Sequence, residues 1–264
     1  MTKRALCVGI NDYPGNDSDL NGCVNDAKAW AALLREHFAF PKENVQLLLD
    51  SQATKAAIMK ALTDLVSRAR SGDTLVFTNS SHGTYVADTD GDESRYDEAL
   101  CPFDCAERLI IDDELRELFA TLPSGVSFTV ISDSCHSGTV TRASVMGTPD
   151  DRRVRFLNPK LLGRKELPNP RQAKPNGGAH PESGMKEVLL SGCTPVEYSY
   201  DALIDGKYHG AMTHYALEVI RGAGYRLSWT ELHQKLLPLL EENGYAQHPC
   251  LEGSDQNKDH QLFT

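Results

Sequence analysis

A buried strand that ends abruptly in small and polar residues dominates the sequence, at residues 126–138 (VSFTVISDSCHSG). Its apolar, β-branched run predicts a strand, and the residues that follow predict a tight loop. In open α/β sheets, chemistry is usually done just past the carboxyl end of a strand. Cys135 lies at that point, and Asp133, two residues earlier, is expected to point to the same side. Cys135 is therefore the candidate nucleophile.

The candidate partner of this thiol is His82, at the end of a second apolar strand that starts near Asp73. A cysteine nucleophile needs a base that accepts its proton, and histidine is the usual one. Asp133 is unsuited to that task, because a nearby negative charge raises the pKa of a thiol. We therefore interpret Asp133 as a substrate-binding group, and Cys135 and His82 as the reacting pair.

Strand and helix patterns alternate along the first part of the chain. They follow in the order strand, helix, strand, helix, strand, at residues 3–10, 23–38, 45–49, 54–69 and 73–78. This alternation indicates βαβ units, with the carboxyl ends of the strands on one edge. We predict an α/β fold, a three-layer α/β/α sandwich around a mostly parallel central sheet. A last helix at 228–240 is expected to be interrupted or ended by Pro238.

The overall composition is that of one ordinary globular domain. The chain has 264 residues, of which 40% are hydrophobic and 24% charged, which suffices for a sizeable core. No stretch approaches the roughly 20 apolar residues of a membrane span. The short apolar run at the start lacks a small-residue cleavage site, so we predict no secretory signal. Seven cysteines in such a chain indicate reduced thiols and a cytoplasmic location.

The two candidate stretches together resemble a known family. His82-Gly83 after one strand and Asp-Ser-Cys-His-Ser-Gly at 133–138 after the next resemble the caspase-like cysteine peptidases, above all the metacaspases and their bacterial relatives, the orthocaspases. The resemblance covers nearly the whole chain. It implies a caspase-like fold, peptide hydrolysis by Cys135 and His82, and an oxyanion held by the backbone N–H groups of Gly83 and Cys135. One departure is Ser81, where the family usually has glycine.

The resemblance also implies a pocket for a basic side chain. Asp26 and Asp133 match acids that line this pocket in metacaspases, and Ser80 is a third candidate for it. Carboxylates bind guanidinium and ammonium groups by charge-assisted hydrogen bonds, so cleavage after Arg or Lys is expected. Asp26 has a second interpretation, because it falls in the first turn of a predicted helix, where an acid suits the helix dipole.

Calcium is a possible activator, although no cofactor is required for the chemistry itself. Asp97, Asp112 and Asp113 match calcium ligands of metacaspases, and carboxylate oxygens suit Ca²⁺. The family's further acidic ligand after the catalytic cysteine has no counterpart here, and Arg142 lies about where it is expected. Asp112 and Asp113 also occupy positions where they could cap a predicted helix. Both interpretations of these acids remain open.

Residues 142–186 form a basic segment rich in proline and glycine, with ten basic and four acidic residues. It divides the chain into a large-subunit-like part, 1–141, and a small-subunit-like part, 187–264. One interpretation is a basic surface loop. The other is a flexible activation loop that the active site itself cuts, since mobile exposed loops are preferred sites of nicking. The candidate positions for such a cut are Arg142, Arg153, Arg155, Arg164 and Lys165.

The function expected from these features is that of a cysteine endopeptidase made as a zymogen. Its partners would be protein or peptide substrates with Arg or Lys before the cut bond. An upstream protease in a prokaryotic defence or stress response is an alternative activator. The net charge of −10 argues against nucleic acid or an anionic membrane as a partner, and we expect a monomer. A catalytically silent caspase-like scaffold or regulatory protein is the alternative function.

Overall fold

Six strands form the central sheet in the computed structural model, which describes residues 1–15, 18–87, 96–135, 152–164, 184–194 and 197–264. With strands numbered along the chain, their spatial order is β2 (Val45–Leu49), β1 (Lys3–Gly9), β3 (Thr74–Ser80), β7 (Ser127–Asp133), β9 (Glu187–Ser191) and β12 (Cys250–Glu252). Neighbouring strands are parallel, except that β12 runs antiparallel to β9. The predicted mostly parallel sheet is therefore confirmed.

Helices cover both faces of this sheet. They are α1 (Cys23–His37), α2 (Lys55–Ser67), α3 (Asp112–Ala120), α4 (Ala211–Gly222), α5 (Trp229–Glu242) and the short α6 (Asp255–Lys258). Successive side chains of a strand point to opposite faces, so Ala5 and Cys7 of β1 pack in the core with α1, α4 and α5. Leu6 and Val8 pack in the other core, with α2 and α3. These two cores on one sheet make the predicted three-layer sandwich.

Two small antiparallel sheets lie beside the main one. The first pairs β4 (Gly83–Ala87) with β5 (Tyr96–Leu100) and β5 with β6 (Ile110–Ile111). The second has β10 (Tyr200–Ile204) between β8 (Arg152–Val154) and β11 (Lys207–Gly210). Through residues of β8 and β10, the second sheet contacts the carboxyl ends of β3 and β7, where the candidate site lies.

Residues 152–164 of the basic segment, where a flexible loop is expected, form secondary structure. This part forms β8 and a 3₁₀ turn at Pro159–Leu162, and Phe156, Leu157 and Leu162 are buried. The physical reason is that apolar side chains stand between the arginines and pack into the domain, which the charge count alone hides. The rest of the segment lies outside the described residues, apart from 184–186.

Pro238 neither interrupts nor ends α5, contrary to expectation, because the helix continues to Glu242. Proline removes one backbone N–H from a helix. Here the buried stripe of Leu232, Leu236 and Leu240 spans both sides of the proline and packs in the core. Burial of this stripe outweighs the lost hydrogen bond. Within the described residues, no helix combines the length and apolar character required to cross a membrane.

Candidate active site

The two stretches singled out in the sequence lie side by side. Strands β3 and β7 are parallel neighbours, and their register pairs Ser80 with Asp133. The chain that leaves β3 carries His82 and Gly83, and the chain that leaves β7 carries Cys135. Because the strands end level with each other, these residues meet at the carboxyl edge of the sheet, as predicted.

Two backbone N–H groups at this edge converge on one carbonyl oxygen. The N–H of Gly83 donates to the oxygen of Arg155 at 3.0 Å, and the N–H of Cys135 donates to the same oxygen at 3.2 Å. They are the two groups expected to hold an oxyanion. The Arg155 carbonyl therefore lies where the acyl group of a substrate would have to lie.

The chain on both sides of Arg155 is held as an added strand. Residues 152–154 pair antiparallel with β10, and the N–H of Arg155 donates to the oxygen of Ser199 at 2.9 Å. Beyond Arg155, the N–H of Leu157 donates to the oxygen of Gly83 at 2.9 Å. Extended peptides bind to proteins in this manner, by adding a strand to a sheet edge. We call residues 152–157 the docked segment.

His82 is buried beside this carbonyl and is fixed by one hydrogen bond. Its Nε2 lies 2.6 Å from the carbonyl oxygen of Ser18, and a carbonyl only accepts, so Nε2 carries the proton. Burial lowers the pKa of His82 from 6.5 to about 4, although the contact with Ser18 opposes this change. Within the described part of the chain, Nδ1 has no hydrogen-bond partner. The neutral ring thus presents a bare Nδ1, which is the state of a general base.

The thiol of Cys135 is completely buried, with 0% exposure. Its Sγ donates to the Ser199 carbonyl oxygen at 3.3 Å and accepts from the Ser199 N–H. Tyr85, Phe156 and Cys193 pack with it in one small cluster. In the described part of the chain, no hydrogen bond joins this sulfur to Nδ1 of His82. Since Phe156 belongs to the docked segment, the chain itself covers the thiol.

The guanidinium of Arg155 fills a pocket of three carboxylates. Its Nη2 lies 2.7 Å from Asp26 Oδ2 and 3.2 Å from Asp201 Oδ1, and its Nη1 lies 3.3 Å from Asp133 Oδ2. Ser80 Oγ also accepts from Nη1 at 3.3 Å. We call Asp26, Asp133 and Asp201 the acidic pocket. All the sequence-predicted pocket residues are thus brought together, around an arginine of the same chain.

The charges in this pocket are buried, so an unpaired charge here costs more free energy than it would at the surface. Burial raises the pKa of Asp26, and the charge of Arg155 opposes that rise. Burial lowers the pKa of Arg155, but the carboxylates, Asp133 foremost, outweigh it and hold this pKa well above its ordinary value. Three acids around one guanidinium select a cation strongly, because an uncompensated buried charge is costly.

Neighbouring donors fix the carboxylates in place. Asp133 Oδ2 accepts from the N–H and the hydroxyl of Thr213 at 3.0 and 2.7 Å. Asp26 accepts from the N–H of Gly210 at 3.0 Å, and lies in the first turn of α1 as well, so both interpretations of this acid are compatible. Asp201 accepts from the backbone N–H of Asn21 and Gly22 at 2.6 and 2.9 Å. The pocket is therefore preorganised.

Three contributors to this site were missed by the sequence analysis. Asp201 on β10 completes the acidic pocket, Ser18 orients the imidazole, and Ser199 holds both the thiol and the N–H of Arg155. Two of them act through backbone groups, which carry no residue-type signal. Asp201 stands in an ordinary short strand, and an acid between Tyr200 and Ala202 was the only clue available.

The departure at Ser81 is accommodated without strain. Ser81 is not among the non-glycine residues with positive φ, so its backbone does not need glycine. Its buried hydroxyl donates to the carbonyl oxygen of His82 at 2.9 Å and accepts from Asn79 at 3.0 Å. The serine therefore supports the loop that carries the imidazole.

The proposed calcium ligands do not assemble into a metal site among the described residues. Asp112 lies 3.0 Å from Arg116, and Asp113 also pairs with that side chain. Both acids lie in the first turn of α3, where an acid suits the helix dipole, but the residue at the N-cap is Ile111. Within the described ranges, no group of three or more His, Cys, Asp or Glu side chains could hold a metal ion. Arg116 supplies positive charge to both carboxylates. Activation by calcium stays a prediction.

The candidate cut sites differ in their exposure and in their distance from the site. Arg142 and Lys165 lie outside the described residues. Arg153 is exposed, with its guanidinium donating to the Asp19 carbonyl oxygen, and Arg164 is partly exposed just past the 3₁₀ turn. Of the three that the structure describes, Arg155 alone has its side chain in the acidic pocket and its carbonyl between the two backbone donors.

Acid is expected to destabilise the uncut chain through His82. Its pKa falls from 6.5 to about 4 on folding, so between these values the unfolded state binds a proton that the folded state does not. The stability present above pH 6.5 is therefore lost as the pH falls to 4, by on the order of 3 kcal/mol. Urea unfolding of a Cys135→Ala chain at pH 7, 5.5 and 4.5 measures this loss. Adding His82→Gln should make the free energy of unfolding depend less on pH. An unchanged pH dependence would contradict the assignment of the loss to His82.

The fold and the site define the class: a caspase-like α/β domain with a thiol and an imidazole at the carboxyl edge of its sheet. Caspase-1 from Spodoptera frugiperda has the same fold, with a TM-score of 0.63 at 12% identity over 95% of this chain and 86% of that one. A crystal structure of a Geobacter sulfurreducens protein gives a TM-score of 0.75 at 27% identity, over 100% and 99% of the two chains.

The chain belongs to the metacaspase family. The family described as "Metacaspase, peptidase C14 domain" matches residues 3–144. Metacaspase-9 of Arabidopsis thaliana is 31% identical over 320 residues, which cover 98% of this chain and 96% of that protein. Metacaspase-4 of the same plant is 44% identical over 145 residues, but these cover 52% of this chain and only 34% of that protein. The resemblance and the fold class expected from the sequence are both confirmed.

Proposed function

We propose that this protein is a cysteine endopeptidase that hydrolyses peptide bonds after Arg or Lys. The observation that carries the proposal is the placement of Arg155. Its side chain is in the acidic pocket, while its carbonyl oxygen accepts from Gly83 and Cys135 at 3.0 and 3.2 Å. An arginine residue of a substrate would bind with the same backbone contacts.

The proposed reaction is acyl transfer to Cys135. The Sγ leaves Ser199 and attacks the carbonyl carbon, while the bare Nδ1 of His82 takes the thiol proton. Negative charge then develops on the carbonyl oxygen, and the N–H groups of Gly83 and Cys135 stabilise it. The imidazolium gives the proton to the leaving amine, whose departure leaves a thioester. Water, activated by the same ring, hydrolyses this thioester and frees the thiol.

We propose further that the chain is a zymogen and that its own docked segment is its first substrate. The bond to be cut joins Arg155 to Phe156. Support comes from the contacts on both sides of that bond, namely the pairing of 152–154 with β10 and the hydrogen bond from Leu157 to Gly83. While uncut, the segment buries the thiol, which keeps other substrates away. The cut would release this strand and expose the acidic pocket.

The scaffold alternative has one observation in its favour. The Cys135 thiol is fully buried and hydrogen-bonded to the Ser199 backbone, so the uncut chain offers no open nucleophile. A silent protein would remain in this state permanently. A zymogen would leave it once Phe156 and its neighbours were released, and hydrolysis of added peptides separates the two.

A panel of fluorogenic peptides that differ only in the residue before the reporter tests the proposed specificity. We expect Arg and Lys peptides to be hydrolysed at least about 100-fold faster, by kcat/KM, than citrulline and Gln peptides. Citrulline is the control, because it has the shape of arginine without its charge. An Asp peptide should not react. Equal rates for Arg and citrulline would refute the role of the acidic pocket, and no turnover at all would favour the scaffold.

A further inference from the structure

The docked segment carries a second arginine with contacts of its own. Arg152 lies three residues before Arg155, and its guanidinium carbon stands 4.1 Å from the centre of the Tyr245 ring. Its Nη1 also donates to the carbonyl oxygen of Gly244 at 2.8 Å. A cation over an aromatic face is attracted by the ring's negative π-surface. We call the Tyr245 ring and the Gly244 carbonyl oxygen the second cation site.

The second cation site is built into the end of a helix. Helix α5 ends at Glu242, and Gly244 follows with a φ of +74°, a conformation that glycine adopts readily. The N–H of Tyr245 donates to the carbonyl oxygen of Leu240 at 3.0 Å, and the N–H of Gly244 donates to that of Glu241 at 2.9 Å. The Gly244 carbonyl thus projects from a helix C-terminus, where positive charge is favoured.

Aromatic neighbours hold the Tyr245 ring rigidly. Its centroid lies 6.1 Å from that of Tyr200 and 5.8 Å from that of Tyr215. Tyr200 belongs to β10, and the register pairs Tyr200 with Val154 of the docked segment. The strand that binds the segment's backbone therefore also supports the ring that binds its distal arginine. A substrate that adds the same strand would bring its own residue to the same place.

The strand register fixes which substrate residue reaches this site. Alternate side chains of an extended strand share a side, so Arg152 and Val154 face one way, and Arg153 and Arg155 the other. Ala202 pairs with Arg152, two steps of the ladder beyond the Tyr200 pair. The fourth residue before the cut bond, three positions before the arginine in the acidic pocket, is therefore the one that meets Tyr245.

We propose that Tyr245 and the Gly244 carbonyl form a specificity site for a second cationic residue, the fourth residue before the cut bond. This inference rests on the proposed peptidase function and extends it. The chain would select peptides of the pattern Arg-x-x-Arg, with both cations bound, rather than any peptide with a single Arg or Lys. Its own sequence at 152–155, Arg-Arg-Val-Arg, has this pattern.

Two matched peptides test the second cation site in the unchanged, self-processed protein. Both carry Gln-Val-Arg before the reporter, and they differ only in the residue preceding Gln, which is Arg in one and citrulline in the other. We expect kcat/KM to be about tenfold higher for the Arg peptide. Equal values would overturn the site while leaving the peptidase function intact. If neither peptide were hydrolysed, the peptidase function would fail, and the site with it.

Variants of Tyr245 separate the ring's electrostatics from its packing. Tyr245→Phe keeps the aromatic face, so the Arg-to-citrulline ratio should persist. Tyr245→Leu keeps an apolar side chain but has no π-surface, so this ratio should fall severalfold towards 1. Because the readout is a ratio measured on one preparation, a lower amount of folded variant does not alter it. A ratio unchanged in Tyr245→Leu would overturn the part assigned to the ring.

Discussion

The Cys135→Ala variant is expected to lose at least about 10³-fold in hydrolysis of arginine peptides and to remain one uncut chain. The proposed reaction forms a thioester at the Sγ of Cys135, which alanine lacks. Peptide hydrolysis measures the first effect and intact-protein mass the second. The unchanged protein should yield a fragment that begins at Phe156, and the variant should yield none.

Matched substitutions separate this loss from a general effect on folding. The Cys250→Ala variant removes a half-buried thiol on β12 and should hydrolyse peptides normally. Arg155→Gln should abolish the fragment that begins at Phe156, because a neutral side chain leaves the acidic pocket uncompensated. Arg153→Gln should keep that fragment, since Arg153 is exposed and its guanidinium meets the Asp19 carbonyl.

Two results would contradict the assignment of Cys135 as the nucleophile of both the self-cut and peptide hydrolysis. If Cys135→Ala were still cut after Arg155 in the cell that makes it, a separate protease would be responsible, as the upstream-activation alternative holds. If the purified variant still hydrolysed arginine peptides, another group would be the nucleophile. If Cys135→Ala is uncut and inactive, while Cys250→Ala is cut and active, one site performs both the cut after Arg155 and the hydrolysis of added peptides.

The layers and the placement of Cys135 and His82 were predictable because their signals are local. Alternating burial in β1, with Ala5 and Cys7 on one face and Leu6 and Val8 on the other, follows from the period of a strand. The placement of Cys135 follows from the abrupt end of an apolar run. A strand and the first residues after it are adjacent in sequence, so a short window contains the whole signal.

The content of the pocket was not predictable, because it depends on contacts between distant residues. Arg155 and Asp26 are 129 positions apart, and Asp201 belongs to a strand that follows the segment by 46 positions. A window of charges at 142–186 shows a basic segment, but not that one arginine is buried among three acids. The sequence placed Arg155 among several candidates for the cut, and only the packing distinguishes Arg155 from its neighbours.

Closing the acidic pocket without replacing any of its acids is expected to have the second-largest effect. A methyl group at Gly210 would stand 2.1 Å from Asp133 Oδ2 and 2.5 Å from Arg155 Nη1, closer than such atoms can approach. The backbone at Gly210, with φ −66° and ψ 132°, is one that alanine adopts easily. Gly210→Ala therefore acts by filling space, and it keeps the N–H that donates to Asp26.

The expected result for Gly210→Ala is a loss of about 100-fold or more in kcat/KM for arginine peptides, together with loss of the cut after Arg155, because the guanidinium can no longer reach all three carboxylates. Gly222→Ala is the matched control. It lies at the other end of α4 with nothing within 4 Å of the added methyl, and should change kcat/KM little. Circular dichroism would show that both variants fold. Near-normal hydrolysis by folded Gly210→Ala would mean that substrate cations bind elsewhere, since no guanidinium could share that pocket with the added methyl.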